Sequence, residues 1–260
     1  MTFVISMVAG QGVIFASDSR ATSGAVFEEE RKILPIFVMD KQEVDLAVVA
    51  GAGNASIVKQ SFQIITRHFT GYYQNMKVAP EGEELDRLVD EIQDTLMTRF
   101  QYLRQNGIQP DVSILLGTLS GCEPRLYSFD STGLYEPRHY DPGYEMIGIG
   151  RDTGGLTLLN LLGYSKDKNW DMGLLTMFLI DVIARVNPYV SPVTSFIDSM
   201  YLRCENGRRV MGPLQWKAFR RYKKSVEKRI EMIRTVWELG ERLGDESVLE
   251  ALKKLAEEKK

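Results

Sequence analysis

The run Gly12-Val13-Ile14-Phe15-Ala16-Ser17-Asp18-Ser19-Arg20-Ala21-Thr22-Ser23-Gly24 has two unlike halves. The first is apolar and rich in β-formers; the second turns abruptly polar at Asp18-Ser19-Arg20. Upstream, Thr2–Ala9 is another β-prone run, and Gly10-Gln11-Gly12 separates the two. Two such runs around a glycine turn predict a hairpin. Asp18 and Arg20 then fall at the end of its second strand. On local grounds alone they read as turn residues.

Working outward, Ile33–Met39 and Val44–Ala50 form a second strand pair that turns at Asp40-Lys41-Gln42-Glu43, so the chain is expected to open with four strands and no helix. Asn54 is a candidate cap for a helix from Ala55 to about Phe69. Glu83–Gln105 is predicted as a long amphipathic helix, with Leu85, Leu88, Val89, Ile92, Leu96, Phe100 and Leu103 at spacings of three and four. Strands are expected again at Val112–Leu119, Arg125–Phe129 and Glu145–Ile149. Helices follow at Thr153–Leu162, ended by Gly163, and at Asp171–Val186. A last strand is expected at Thr194–Arg203. Runs of strands alternating with runs of helices indicate an α+β fold. After residue 212 the composition changes. Residues 213–260 are predicted as a charged helical C-terminal extension, two helices joined near Gly240–Asp245, appended to a domain of residues 1–212.

Composition removes several classes of function. The chain has 260 residues, a net charge of −3, 44% apolar and 26% charged residues, which is ordinary for a globular protein. Its longest uncharged run, Met1 to Ser17, is broken by glycines, so no membrane-spanning helix is expected. The first basic residue is Arg20, so no secretory signal is read and a cytoplasmic location is expected. Two histidines and two cysteines, Cys122 and Cys204, cannot supply a paired Cys/His zinc site. One bridge between the cysteines is formally possible, but in a reducing cytosol two free thiols are expected in preference to it. No GxSxG serine elbow is present for a Ser-His-Asp hydrolase.

The residue types nearest the start suggest chemistry. A small residue at position 2 makes Met1 removable, and no further leader is expected before it. Thr2 would then carry a free α-amine beside its own hydroxyl, a base and a nucleophile on one residue. Such an amine titrates near neutrality and can accept the hydroxyl proton. Lys32 offers a cation whose field favours the neutral amine, and Asp18 offers that lysine a counter-charge. Gly51 lets a substrate approach the backbone closely, where an N–H can stabilise an oxyanion.

These same residues carry a family resemblance. Gly12–Gly24 resembles the second-strand motif of proteasome β subunits, and the spacing from Thr2 to Asp18 matches that family's spacing from its N-terminal threonine. Lys32 sits where the family has its active-site lysine. Ala47-Val48-Val49-Ala50-Gly51-Ala52-Gly53 resembles the segment that supplies its oxyanion amide. Pro110–Gly117 and Pro124–Gly133 look like its central strand pair, and Gly148-Ile149-Gly150 corresponds to its G-S-G turn. The resemblance is collinear over roughly residues 2–203. It implies a four-layer α-β-β-α sandwich of the N-terminal-nucleophile (Ntn) hydrolase type and a threonine peptidase or amidohydrolase acting through an acyl-enzyme. The implied catalytic residues are Thr2, Asp18, Lys32 and Gly51, supported by Arg20, Asn187 and Ser191. It also implies a peptide or protein substrate and a homo-oligomer or proteasome-like assembly. The chain departs from the family where Ile149 replaces a serine, where Asn187 stands for an aspartate, and where the Lys32–Gly51 hairpin is longer.

Other readings are weaker. Gly51-Ala52-Gly53-Asn54 after a strand looks like part of a dinucleotide fingerprint. The third glycine is missing, and so is an acid about 20 residues on. No cofactor or metal is therefore expected. Lys217–Arg234 is strongly basic. An apolar stripe from Trp216 to Trp237 makes it a docking surface for a subunit or partner in preference to a nucleic-acid site. The alternatives to a peptidase are a non-catalytic proteasome-like scaffold or regulatory protein, and a transpeptidase or ligase passing the acyl group to an amine.

Overall fold

The computed structural model describes residues 2–10, 12–23, 26–29, 31–165, 168–193 and 198–257, with backbone alone for 20–23 and 26–29. The chain forms two compact units, residues 1–216 and 217–260.

The first unit opens with β1 (Phe3–Ala9) and β2 (Gly12–Ser17), the hairpin expected from the glycine turn. A short hairpin not anticipated from the sequence follows, β3 (Arg20–Ser23) and β4 (Val26–Glu29). Next come β5 (Ile33–Met39), β6 (Glu43–Gly53), α1 (Ala55–Met76), α2 (Gly82–Gln105), β7 (Val112–Ser120), β8 (Glu123–Phe129), β9 (Tyr135–Pro137) and β10 (Tyr144–Gly148). A π-type turn at Arg151–Gly155 leads into α3 (Leu156–Leu161), then α4 (Met172–Val186), β11 (Ser199–Glu205) and β12 (Arg208–Pro213). The first four residues of the strand expected at Thr194–Arg203 lie outside the described residues. β9 and β12 are further strands the sequence reading missed.

Two five-stranded sheets result, in the orders β10-β1-β2-β11-β12 and β5-β6-β7-β8-β9, with every pairing antiparallel. Strand alternation gives each sheet two apolar faces. One pair of faces meets in a shared interior, where Val4, Phe15 and Leu202 of the first sheet pack with Val48, Leu115 and Leu126 of the second. α1 and α2 cover the other face of the second sheet. There Ile65, Phe69, Leu85, Ile92 and Phe100 pack on Val49, Ile114 and Leu116. α4 lies along β1 and β2. Its sequence, apolar from Met172 to Ile180 apart from Thr176, fits the near-complete burial of that stretch, Leu174 being half-buried.

Asn54 caps α1 as expected, its side chain accepting from Ser56 N and Ile57 N at 3.0 and 3.3 Å. α1 runs seven residues past the predicted Phe69 and ends at a left-handed Lys77. The expectation of two free thiols is corrected. The β7–β8 turn lies over β11, so Cys122 and Cys204, 82 residues apart in sequence, meet in a disulfide with Cα atoms 5.1 Å apart.

The second unit contains most of α5 (Trp216–Leu243) and all of α6 (Asp245–Glu257), which turn at Gly244. Among the described residues, no helix is long and apolar enough to cross a membrane.

Candidate active site

β1 and β2 bring Thr2 and Asp18 together through the hairpin register. Asp18 N–H donates to Phe3 O at 3.0 Å, and Phe3 N–H donates back to Asp18 Oδ1 at 2.7 Å. The Asp18 carboxylate is therefore tied to the peptide unit that follows Thr2. The same Oδ1 accepts from Lys32 Nζ at 2.6 Å. Both charged groups are buried, with side-chain exposures of 6% for Lys32 and 0% for Asp18. A charge pair in such a place persists only where its remaining valences are met. Ser191 helps to meet them: its N–H donates to Asp18 Oδ2 at 3.4 Å, and its hydroxyl accepts from Ser19 N–H at 3.1 Å. Ser191 is thus placed beside the pair from 173 residues away, in the loop after α4.

The turn Gly148-Ile149-Gly150 closes over Thr2. Gly148 pairs with Phe3 in the β1–β10 register and has φ +80. A side chain there would fall onto the Thr2 carbonyl oxygen. Asn187, expected as a supporting residue in place of an aspartate, is coupled to this turn. Its Nδ2 donates to Thr153 Oγ1 at 3.1 Å, and Thr153 Oγ1 donates to Ile149 O at 2.8 Å. Its carbonyl accepts from Tyr189 N at 2.9 Å, within its own turn. Arg20 lies in β3; its side chain falls outside the described residues.

Gly51 sits in β6 with its α-carbon against Val58 and Phe62 of α1. An added Cβ would come within 2.6 Å of Val58 Cγ1 and 3.1 Å of the Phe62 ring. Its N–H is engaged in the β5–β6 ladder, donating to Lys32 O at 3.2 Å. Asn54 N–H donates to Asp111 O at 2.7 Å, toward β7. Groups alternate along a strand, so the Gly53 N–H faces the same edge as that of Gly51. It does so beyond Ile33, where β5 begins. The sequence reading missed this second donor position, although Gly51-Ala52-Gly53 offered both glycines.

Thr2, Lys32, Gly51, Gly53, Gly148 and Ile149 line one cavity of about 1160 Å³. Sequence reasoning also missed the α1 wall of that cavity. Ala55, Val58, Lys59, Phe62, Thr66 and Arg67 face it from one side of the helix, a pattern present in the sequence, where this helix was read only from its Asn54 cap. Among the described residues, no group of three or more His, Cys, Asp or Glu side chains is placed to hold a metal.

The arrangement is therefore an α+β fold of paired antiparallel sheets, with one cavity at the strand ends where a buried Lys–Asp pair meets the start of β1. Among solved structures, the chain is similar to the Anbu (Gly-1) mutant from Hyphomicrobium sp. strain MC1. The TM-score is 0.65 at 16% identity, covering 90% of this chain and 97% of that one. It is likewise similar to Anbu (ancestral beta-subunit) from Yersinia bercovieri, with TM-score 0.64 at 17% identity and the same coverages. At that identity the likeness shows the fold. No family model and no curated protein matches the chain.

Proposed function

We propose that the protein is an N-terminal threonine amidohydrolase of proteasome type, a peptidase with the four-layer α-β-β-α sandwich of Ntn hydrolases. The observation that carries this reading is the single oxygen, Asp18 Oδ1, that accepts from both Phe3 N–H and Lys32 Nζ at the edge of the Thr2 cavity. It sets an ammonium one peptide unit from the residue that would become the N-terminus. Likeness to an ancestral β-subunit and the collinear motifs over residues 2–203 support it.

Once Met1 is removed, the Thr2 α-amine takes the Oγ proton as Oγ attacks the substrate amide carbon. The Lys32 field keeps the amine neutral beforehand, and Asp18 keeps Lys32 in place. The oxyanion is held at the edge formed by Gly51 and Gly53, where substrate competes with Lys32 O for the Gly51 N–H. Collapse expels the amine, which leaves with the proton from the α-ammonium, and Thr2 is left as an ester. Water then releases the acid. An amine in place of water would give a transpeptidase by the same ester. Ser191 supports Asp18, and Asn187 supports the turn over Thr2. Residues 213–260 act as an extension to the catalytic domain of residues 1–212, which works as a homo-oligomer or proteasome-like assembly.

A non-catalytic scaffold is favoured by two observations: the Gly51 N–H is already occupied, and Asn187 points to Thr153. Intact-mass measurement separates the readings. The active chain loses Met1 and takes up one equivalent of an electrophile that requires both a hydroxyl and an α-amine, and Thr2→Ala takes up none. Equal uptake by Thr2→Ala, or none by the parent chain, establishes the scaffold instead.

A further inference from the structure

The cavity beside Thr2 continues along α1 past the groups just described. Val58 and Phe62 give it an apolar inner row that Thr66 continues, while Lys59 and Arg67 stand on the outer row. Arg31 reaches the same cavity from the segment before β5. Setting aside Lys32, which Asp18 compensates, and Lys59, which has an interaction of its own, the described lining holds Arg31 and Arg67 against one carboxylate, Asp111. The wall is thus positive on a chain whose net charge is −3. Among the described residues, Arg31 and Arg67 make no side-chain hydrogen bond or ion pair. Thr66 Oγ1, buried in the same wall, also has no partner.

The spacing along α1 gives the cavity a length. Lys59 follows Val58, which backs Gly51. Arg67 lies eight residues further, about 12 Å along a helix axis. An extended peptide covers that distance in about four residues. A volume of about 1160 Å³ is also more than a single amino-acid side chain fills.

We propose that this cavity selects an extended peptide whose acyl portion carries an acidic side chain, its carboxylate held by Arg67 and Arg31 over the apolar row of Val58 and Phe62. The proposal rests on Thr2 as the nucleophile, since that fixes which part of the substrate lies here. Cations at the rim of a concave, partly apolar site favour such a partner through their summed field, and salt weakens that preference.

The test uses binding to the full-length Thr2→Ala chain, so that it does not depend on the hydroxyl. Dye-labelled alanine tetrapeptides carrying Asp at each position in turn are compared by fluorescence anisotropy with their Asn isosteres. Glutaric acid monoamide serves as a small competitor. At least one Asp peptide is expected to bind tenfold or more tighter than its isostere at low salt. That preference should shrink with added salt and be lost in Arg67→Glu with an unchanged melting temperature. Equal binding of the Asp and Asn series overturns the proposal, as does a preference that survives Arg67→Glu combined with Arg31→Glu. Competition by the monoamide at the concentration of the best peptide overturns the peptide assignment and makes a small carboxylate the ligand. Failure of the mass-capture test described above is a separate result, because the binding assay omits the nucleophile.

Discussion

Gly148→Ala tests whether the geometry around Thr2 matters for reaction. Gly148 has φ +80, a region that side chains rarely enter. The backbone alone makes alanine unfavourable there by about 1 kcal/mol. The larger effect is steric. A Cβ at Gly148 would fall on the Thr2 carbonyl oxygen and within 3.4 Å of Ala52 Cβ. To recover an ordinary van der Waals contact, the Thr2 carbonyl must retreat by roughly 1 Å or more, and the start of β1 must shift with it. Misplacing a reacting group by about 1 Å costs on the order of 10²-fold in rate. The expected outcome is a ~10²-fold slower capture of Thr2 by the electrophile, followed by intact mass, with about 1–3 kcal/mol lost in urea unfolding. Ile149→Ala, on the same turn, trims a cavity-lining side chain without demanding that shift, and should react within a few-fold of the parent. A folded Gly148→Ala chain that is captured as fast as the parent would refute the reasoning, since the turn would then not set the position of Thr2.

Three further outcomes follow from the same structure. Lys32→Ala leaves Asp18 buried without its cation and should lower unfolding free energy by about 3–5 kcal/mol; Lys32→Ala with Asp18→Ala should recover part of that loss, and urea titration of both checks it. Gly71→Ala lies in the middle of α1 with open space where its Cβ would go, so thermal unfolding should show a gain of about 0.5–1 kcal/mol. His68 joins α1 to α2, its Nε2 lying 3.2 Å from Thr95 Oγ1, and burial pushes its pKa down more than Glu91 raises it. Its neutral form is thus the one the fold favours. Its contribution is complete above the unfolded histidine pKa of about 6.5 and is lost as pH falls through the lower folded value. Denaturant titrations between pH 7 and pH 5 should show this slope, and His68→Gln should flatten it.

The strands and helices that were legible in the sequence are those whose burial pattern is regular. β1 and β2 flank a glycine turn, and α2 repeats leucine and valine at helical spacing, so both were visible without a structure. Asn54 announced the start of α1, but nothing announced its end. Gly71, two residues past Phe69, does not stop the helix, which runs on through Tyr72 and Tyr73 and turns only at Lys77. β9 and β12 are short and half-exposed, and they are defined by partners. β12 is held where Arg209 donates to Leu46 O and Leu119 O, and where Met211 N–H donates to Asp45. Those contacts join segments more than 80 residues apart, and no local pattern encodes them. The Cys122–Cys204 bridge was misjudged for the same reason, since compartment was weighed and proximity could not be.

The candidate site divides along the same line. Thr2, Asp18 and Lys32 could be named because their chemistry is visible in residue type and their spacing follows a hairpin. What the sequence does not contain is the competition for each polar group. Asn187 and Ser191 were read as equivalent supports, yet only Ser191 reaches Asp18; Asn187 acts on the Ile149 carbonyl through Thr153. The Gly51 N–H was assigned to a substrate, yet a strand partner holds it at 3.2 Å. In the proposed mechanism, substrate therefore has to displace Lys32 O or use the next outward-facing N–H, that of Gly53. Either route couples oxyanion binding to the position of Lys32, whose ammonium is fixed by Asp18 and whose carbonyl is fixed by Gly51. A displaced carbonyl would move the backbone that carries the ammonium, so in that mechanism the cation beside Thr2 and the donor proposed for the oxyanion form one mechanical unit.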